Sequence, residues 1–292
     1  MEDLLKLFEE KMKDEGKAEN TIKSYMLNMR EYFSWFIESY GNLEFKGLYR
    51  GNINEYKNYL KNLKRVGNDR HNLDVKSINA KLAALVKYNE LMQPDNIVIS
   101  KKDYYKVQKE IINPTDITKR DVEQLRQNLL QAEGYASLRN YTIVTIMAYG
   151  GLRISEVLNL KRNDVSTAAG QIRVSDGKGG KQRTVIANSK IVSAINEYMK
   201  EYNYADTEYL FYNNKGKPLN RSTINKVFNN QCINGKNISP HDLRHFFCYN
   251  ALESGAYSIN EVAQQAGHAD IRTTMIYTNP NLQRMREKAE LL

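Results

Sequence analysis

One short stretch limits the architecture more than any other. Residues 171–187 read QIRVSDGKGGKQRTVIA, two strand-like segments on either side of a glycine-rich tip, which is the pattern of a β-hairpin. It is the one clear strand signal in 292 residues. The other periodic stretches repeat at three and four residues, the spacing of an α-helix. The expected fold is therefore mainly α, with a small antiparallel sheet.

The helical stretches fall into two groups. In TIKSYMLNMREYFSWFIESY, residues Ile22, Tyr25, Met26, Met29, Tyr32, Phe33 and Phe36 make one apolar stripe, and Asn20 or Thr21 is placed to cap it. Before it, EDLLKLFEEKMKDEG forms a helix closed by Gly16; after it come NINEYKNYLKNLKRVG and VKSINAKLAALVKYNELMQ, the last ended by Pro94. Residues 94–115 then lose the period and gain charge. After Thr118 helices resume on both sides of the hairpin. The length favours two domains: a helical N-terminal domain at 1–93, a linker at 94–115, and a mixed, mostly helical domain at 116–292. No 20–50-residue repeat is present.

Composition bears on partners. The chain is 41% hydrophobic and 26% charged, an ordinary globular balance. No run approaches the length of a membrane-spanning helix, and the acidic N-terminus lacks the basic start of a secretion signal. Cys232 and Cys248 form no framework, which fits a reducing cytoplasm. The net charge of +9 points to a polyanionic partner, nucleic acid first. The charge is unevenly spread: residues 1–45 carry 6 Lys/Arg against 10 Asp/Glu, and residues 46–109 carry 14 against 6. Within the basic stretch Lys57, Lys61, Lys64 and Arg65 are candidates for phosphate contact, and the helix after Asn220 is a candidate for base readout.

The chemistry-bearing residues lie in the second group. In HDLRH, His241 and Arg244 are three apart and share a helix face. His241 and His245 have the spacing of the HExxH zinc motif, but Arg244 would set a fixed positive charge where a dication must sit, and no third ligand stands out. A histidine and an arginine on one face suit an oxyanion, because a guanidinium fork matches two phosphate oxygens. Arg153 follows two glycines at the start of a helix, where an anion is favoured. Lys178 and Lys181 sit on the glycine-rich hairpin tip.

Taken together, GGLRISEVLNL, GKGGKQRTV, SPHDLRHFF and AGHADIRTTMIYT resemble, in order and spacing, the signature boxes of the tyrosine recombinases, the phage integrase family. The resemblance covers residues 137–280, and the N-terminal helices resemble the family's SAM-like core-binding domain. Two positions depart from the usual pattern: Gly150-Gly151 stands before Leu152-Arg153, and Phe247-Cys248-Tyr249 follows the second histidine. Both bear on local packing.

The resemblance implies a simple, Xer-like site-specific recombinase. It cleaves and rejoins DNA through a 3′-phosphotyrosine, in the prokaryotic cytoplasm, with no cofactor and no metal. Tyr277 is the implied nucleophile. Arg153, Arg244 and His268 are the implied donors to the phosphate, His241 the acceptor of the tyrosine proton, and Lys178 the acid for the leaving oxygen, with Lys181 its rival. Glu156 is implied to support the site, and His245 only to pack or hydrogen-bond. The implied assembly is a monomer in solution and a tetramer on two DNA sites, with accessory proteins a further expectation. In the tetramer the C-terminal segment NPNLQRMREKAELL passes between protomers on its Leu282, Met285 and Ala289 face. Two other readings share some of these features: a type IB topoisomerase-like enzyme, and a DNA-binding factor without catalysis.

Overall fold

The computed structural model describes residues 1–41, 44–63, 65–66, 71–107, 117–134, 136–175, 182–202, 207–213, 215–268, 270–278 and 289–290. The chain divides into two compact units, Met1–Glu110 and Ile111–Leu292.

The first unit holds α1 (Glu2–Asp14), α2 (Glu19–Tyr40), α3 (Arg50–Asn58) and α4 (Val75–Met92). Its core includes the stripe read from the sequence: Met29 and Tyr32 are fully buried, together with Phe8, Leu60 and Leu82 from the other segments. The chain's single tryptophan, Trp35, is 6% exposed, with its ring 4.9 Å from Tyr56 and 5.6 Å from Tyr32. Asp74 caps α4 by accepting from the Ser77 N–H at 2.6 Å. The start of α2 differs from expectation. Its N-cap is Ala18, which supplies no side-chain bond, so neither Asn20 nor Thr21 caps it. The third helix is also interrupted. It passes into a π-helical turn at Tyr59–Leu63 and then a two-residue ladder, β1 (Arg65–Val66) with β2 (His71–Asn72).

Residues 94–107, expected to be linker, fall within this unit. Asn89, fully buried on α4, accepts from Val98 N at 2.7 Å and Ile99 N at 3.1 Å and donates to the Asn96 carbonyl at 2.9 Å. Asn79 exchanges two 2.9 Å bonds with the Tyr105 backbone. These amides satisfy irregular backbone that would otherwise be costly to bury, and Ile99 is then 1% exposed. Residues 108–115, the rest of the expected linker, lie outside the described residues.

In the second unit, α5 (Lys119–Gln131), α6 (Ser137–Gly150), α7 (Ile154–Leu158), α8 (Ser189–Glu201), α9 (Arg221–Asn229), α10 (Pro240–Glu253), α11 (Ile259–Ala266) and α12 (Arg272–Met275) surround a small sheet. The sheet is antiparallel, in the order β3 (Val165–Ser166), β4 (Gln171–Val174), β5 (Arg183–Ile186), with Val174 opposite Arg183. A further ladder joins β6 (Cys232–Ile233) to β7 (Lys236–Asn237). Helix α6 is buried around most of its girth and packs against α5, α8 and α10. Capping boxes start α5 (Thr118 with Asp121), α10 (Ser239 with Asp242, Pro240 at its first turn) and α11 (Ser258 with Glu261). No helix among the described residues is long and apolar enough to cross a membrane.

Candidate active site

The site is built from the α6–α7 junction, helix α10, the ends of α11 and α12, and strand β5. Helix α6 stops at Gly151, whose left-handed φ of +69° turns the chain so that Arg153 precedes the first turn of α7. One turn on, Glu156 reaches back. Its Oε2 accepts from the Arg153 N–H and its Oε1 from Arg153 Nη1, both at 2.8 Å. The same carboxylate takes two bonds from Arg183 on β5, at 3.0 and 2.7 Å. Burial alone would raise the Glu156 pKa, but the hydrogen bonds from Arg183 and Arg153 outweigh it and hold the group below its ordinary value, so it is ionised.

Helix α10 contributes His241, Arg244 and His245. Arg244 is 4% exposed. Its Nη1 donates to the Gly151 carbonyl at 2.7 Å, while Nη2 is buried without a partner. Burial, and then the charge of Arg153, draw its pKa down to about 10, which leaves it a cation at neutral pH. A buried cation with an unspent donor is expensive unless an anion meets it. The His241 and His245 rings meet edge to face, 4.1 Å apart.

Helix α11 ends at Gly267, again left-handed at φ +68°. His268 follows, and its Nδ1 is 2.7 Å from Oγ1 of the fully buried Thr274. Tyr277 lies just past α12, its N–H held by the Thr274 carbonyl at 3.1 Å. Its side chain is 8% exposed and packs with Phe247, Cys248 and Val262. The Tyr277 hydroxyl is hydrogen-bonded to His245 Nδ1. Burial raises the Tyr277 pKa above that of free tyrosine, so it rests protonated. Burial, then neighbouring positive charge, lowers both imidazoles: His268 falls to about 4, with Arg244 next in effect, and His245 to about 4, with His241 next.

The structure thus gathers Arg153, Glu156, His241, Arg244, His268 and Tyr277, which the sequence scatters over 125 positions. The tyrosine hydroxyl meets His245, which sits one helical turn further along α10 than His241. Three supporting residues escaped the sequence reading: Arg183, Gln265, whose amide pairs with the Ile186 backbone at 3.1 and 2.8 Å, and Thr274. Lys178, Lys181 and Lys64 lie outside the described residues, as do the Arg65 side chain and residues 279–288. In the first unit, the Lys57 and Lys61 ammonium groups stand 5.2 and 5.5 Å from the Tyr105 ring. Among the described residues no three His, Cys, Asp or Glu side chains group as a metal site.

Comparison with known proteins decides the family. The model of the phage integrase family matches residues 115–284. The chain belongs to the phage integrase family. This integrase-family chain is 44% identical over 299 residues to the TnP I resolvase of Bacillus thuringiensis, covering 99% of the chain and all of the relative. It is 28% identical over 286 residues to tyrosine recombinase XerD of Halalkalibacterium halodurans, covering 94% of the one and 91% of the other. Its fold resembles that of the XerH site-specific recombinase bound to a palindromic difH substrate. That likeness has a TM-score of 0.71 at 22% identity and covers 92% of this chain and 78% of the other. The integrase-family chain is a site-specific recombinase of the tyrosine class, which breaks and rejoins DNA. Neither the topoisomerase reading nor the non-catalytic one is favoured.

Proposed function

We propose that Tyr277 attacks the scissile phosphorus of a DNA recombination site. Negative charge then builds on the non-bridging oxygens, and Arg153, Arg244 and His268 donate to them. The observation that carries this reading is the unpartnered, buried Nη2 of Arg244, in a site that also holds a buried tyrosine hydroxyl. Guanidinium and imidazole donors supply the stabilisation, so the reading requires no metal. As the P–O bond forms, His245 takes the phenolic proton from the hydroxyl it already contacts, and His241 orients and polarises His245 from the preceding turn. The leaving 5′-oxygen takes its proton from Lys178, with Lys181 the alternative. The 3′-phosphotyrosine conserves the bond energy, and a second strand's 5′-hydroxyl reverses the step.

Likeness along the whole length to a protein named a resolvase supports recombination between two sites on one DNA molecule. The assembly on DNA is a tetramer of chains that are monomers in solution, joined by exchange of the segment from Asn279 to Leu292, in the cytoplasm and with accessory proteins. Lys57, Lys61, Lys64 and Arg65 bind phosphates on the N-terminal unit, and the helix α9 reads bases. The test uses a nicked suicide duplex carrying the site recovered by pull-down and sequencing. An SDS-resistant adduct that needs Tyr277 supports the reading, and an adduct still formed by Tyr277→Phe sinks it.

A further inference from the structure

The Arg183 side chain ties the hairpin strand to two of the phosphate-gripping segments. Its side-chain bonds point inward: two to Glu156, and a third from Nε to the Gln265 carbonyl at 3.1 Å. The Arg153 guanidinium reaches the same two places, with Nη1 on Glu156 at 2.8 Å and Nη2 on the Gly267 carbonyl at 3.0 Å, while its backbone N–H also donates to Glu156. One carboxylate and the C-terminal carbonyls of α11 are therefore shared by two guanidinium groups. The packing around Arg183 is tight, since a Cβ on Gly267 would lie 2.6 Å from its Cζ. Its side chain is 11% exposed, against 35% for Arg153. Arg183 is thus enclosed, while Arg153 keeps an open side.

We propose that Arg183 is a positioning residue. Acting through Glu156 and the Gly267 turn, it sets where Arg153 and His268 present their donors to the phosphate. The inference rests on the reading that those two residues grip the scissile phosphate. Its physical content is a competition. Without Arg183, the Glu156 carboxylate has Arg153 as its one arginine partner and draws that charge away from the substrate. With Arg183 present the trio carries a net positive charge, and that excess faces the open side. The turn before His268 loses its brace at the same time, and a displacement of about 1 Å at a reacting centre costs about 10²-fold in rate.

The experiment measures single-turnover adduct formation at saturating DNA for the wild type, Arg183→Gln and Arg183→Lys. Each is tested on a suicide duplex with an ordinary scissile phosphate and on one with a methylphosphonate there, which lacks the negative charge. Arg183→Gln should cleave about 10²-fold more slowly on the phosphate with DNA affinity unchanged. Arg183→Lys should recover part of the rate, and both deficits should shrink on the uncharged substrate. Should Arg183→Gln not fold, the same two-substrate comparison with Arg183→Lys decides. Wild-type cleavage rates in Arg183→Gln, or a deficit equal on both substrates, would overturn the proposal. Failure of the wild type itself to form an adduct overturns the underlying reading instead.

Discussion

Arg244 on α10 donates to the carbonyl oxygen of Gly151 at 2.7 Å, a bond spanning 93 positions of sequence. It holds the guanidinium by one edge and leaves Nη2 open. The glycine is required twice over, by its φ of +69° and because a Cβ there would lie 2.3 Å from Phe247 Cδ1. Gly151 and Phe247 thus fit one another. Gly151→Ala should lose about 2–4 kcal/mol of stability together with cleavage. Gly51→Ala, with nothing within 4 Å of the added carbon, should be neutral or slightly stabilising. Thermal melts of both variants check this.

Arg244→Lys removes the fork while keeping the charge. One ammonium cannot hold the Gly151 carbonyl and also meet the phosphate as the guanidinium does. Single-turnover cleavage should fall about 10²–10³-fold with DNA binding retained. A rate within threefold of wild type would exclude the role given to Nη2.

Tyr277→Phe should form no adduct yet bind DNA as the wild type does. The change leaves His245 Nδ1 without its bond, so stability should drop by about 1 kcal/mol. His245→Gln tests the proton acceptor. Its single-turnover rate should fall about 10²-fold or more, whereas a larger loss in His241→Gln would return that role to His241.

The lowered imidazoles make stability pH-dependent. His245 and His268 fall to about 4 in the folded chain, from about 6.5 when unfolded. Between those values the unfolded state binds more protons, so stability is full above about pH 6.5 and is lost as pH falls towards 4. Urea midpoints across that window should decline with acid, and the decline should lessen in a double His245→Gln/His268→Gln variant.

Lys61 and Lys57 offer a test on the other unit. If they meet DNA phosphates, Lys57→Gln/Lys61→Gln should reduce the salt slope of binding by about 2. An unchanged slope measured by fluorescence anisotropy would exclude that surface.

Much of this was legible in the sequence, for physical reasons. The stripe from Ile22 to Phe36 and the hairpin carry strong periods, and Ser239, Ser258 and Thr118 announce their helices. The resemblance of four sequence boxes to those of the family brought Arg153, Arg244, His268 and Tyr277 forward. What stayed hidden depends on distant contacts. Arg183 is one basic residue among several in KGGKQRT until Glu156 is seen against it. Two-residue ladders such as β6–β7 alternate too briefly to show a period. The seating of residues 94–107 depends on Asn79 and Asn89, polar residues in a helix whose amides find their partners only in the folded chain.

Trp35 gives the molecule a built-in reporter. As the single indole, buried among tyrosines of the N-terminal unit, it makes tryptophan emission a reading of that unit alone. Far-UV circular dichroism averages both units. Where the two signals part company on a denaturation curve, the gap measures how independently the two units hold together.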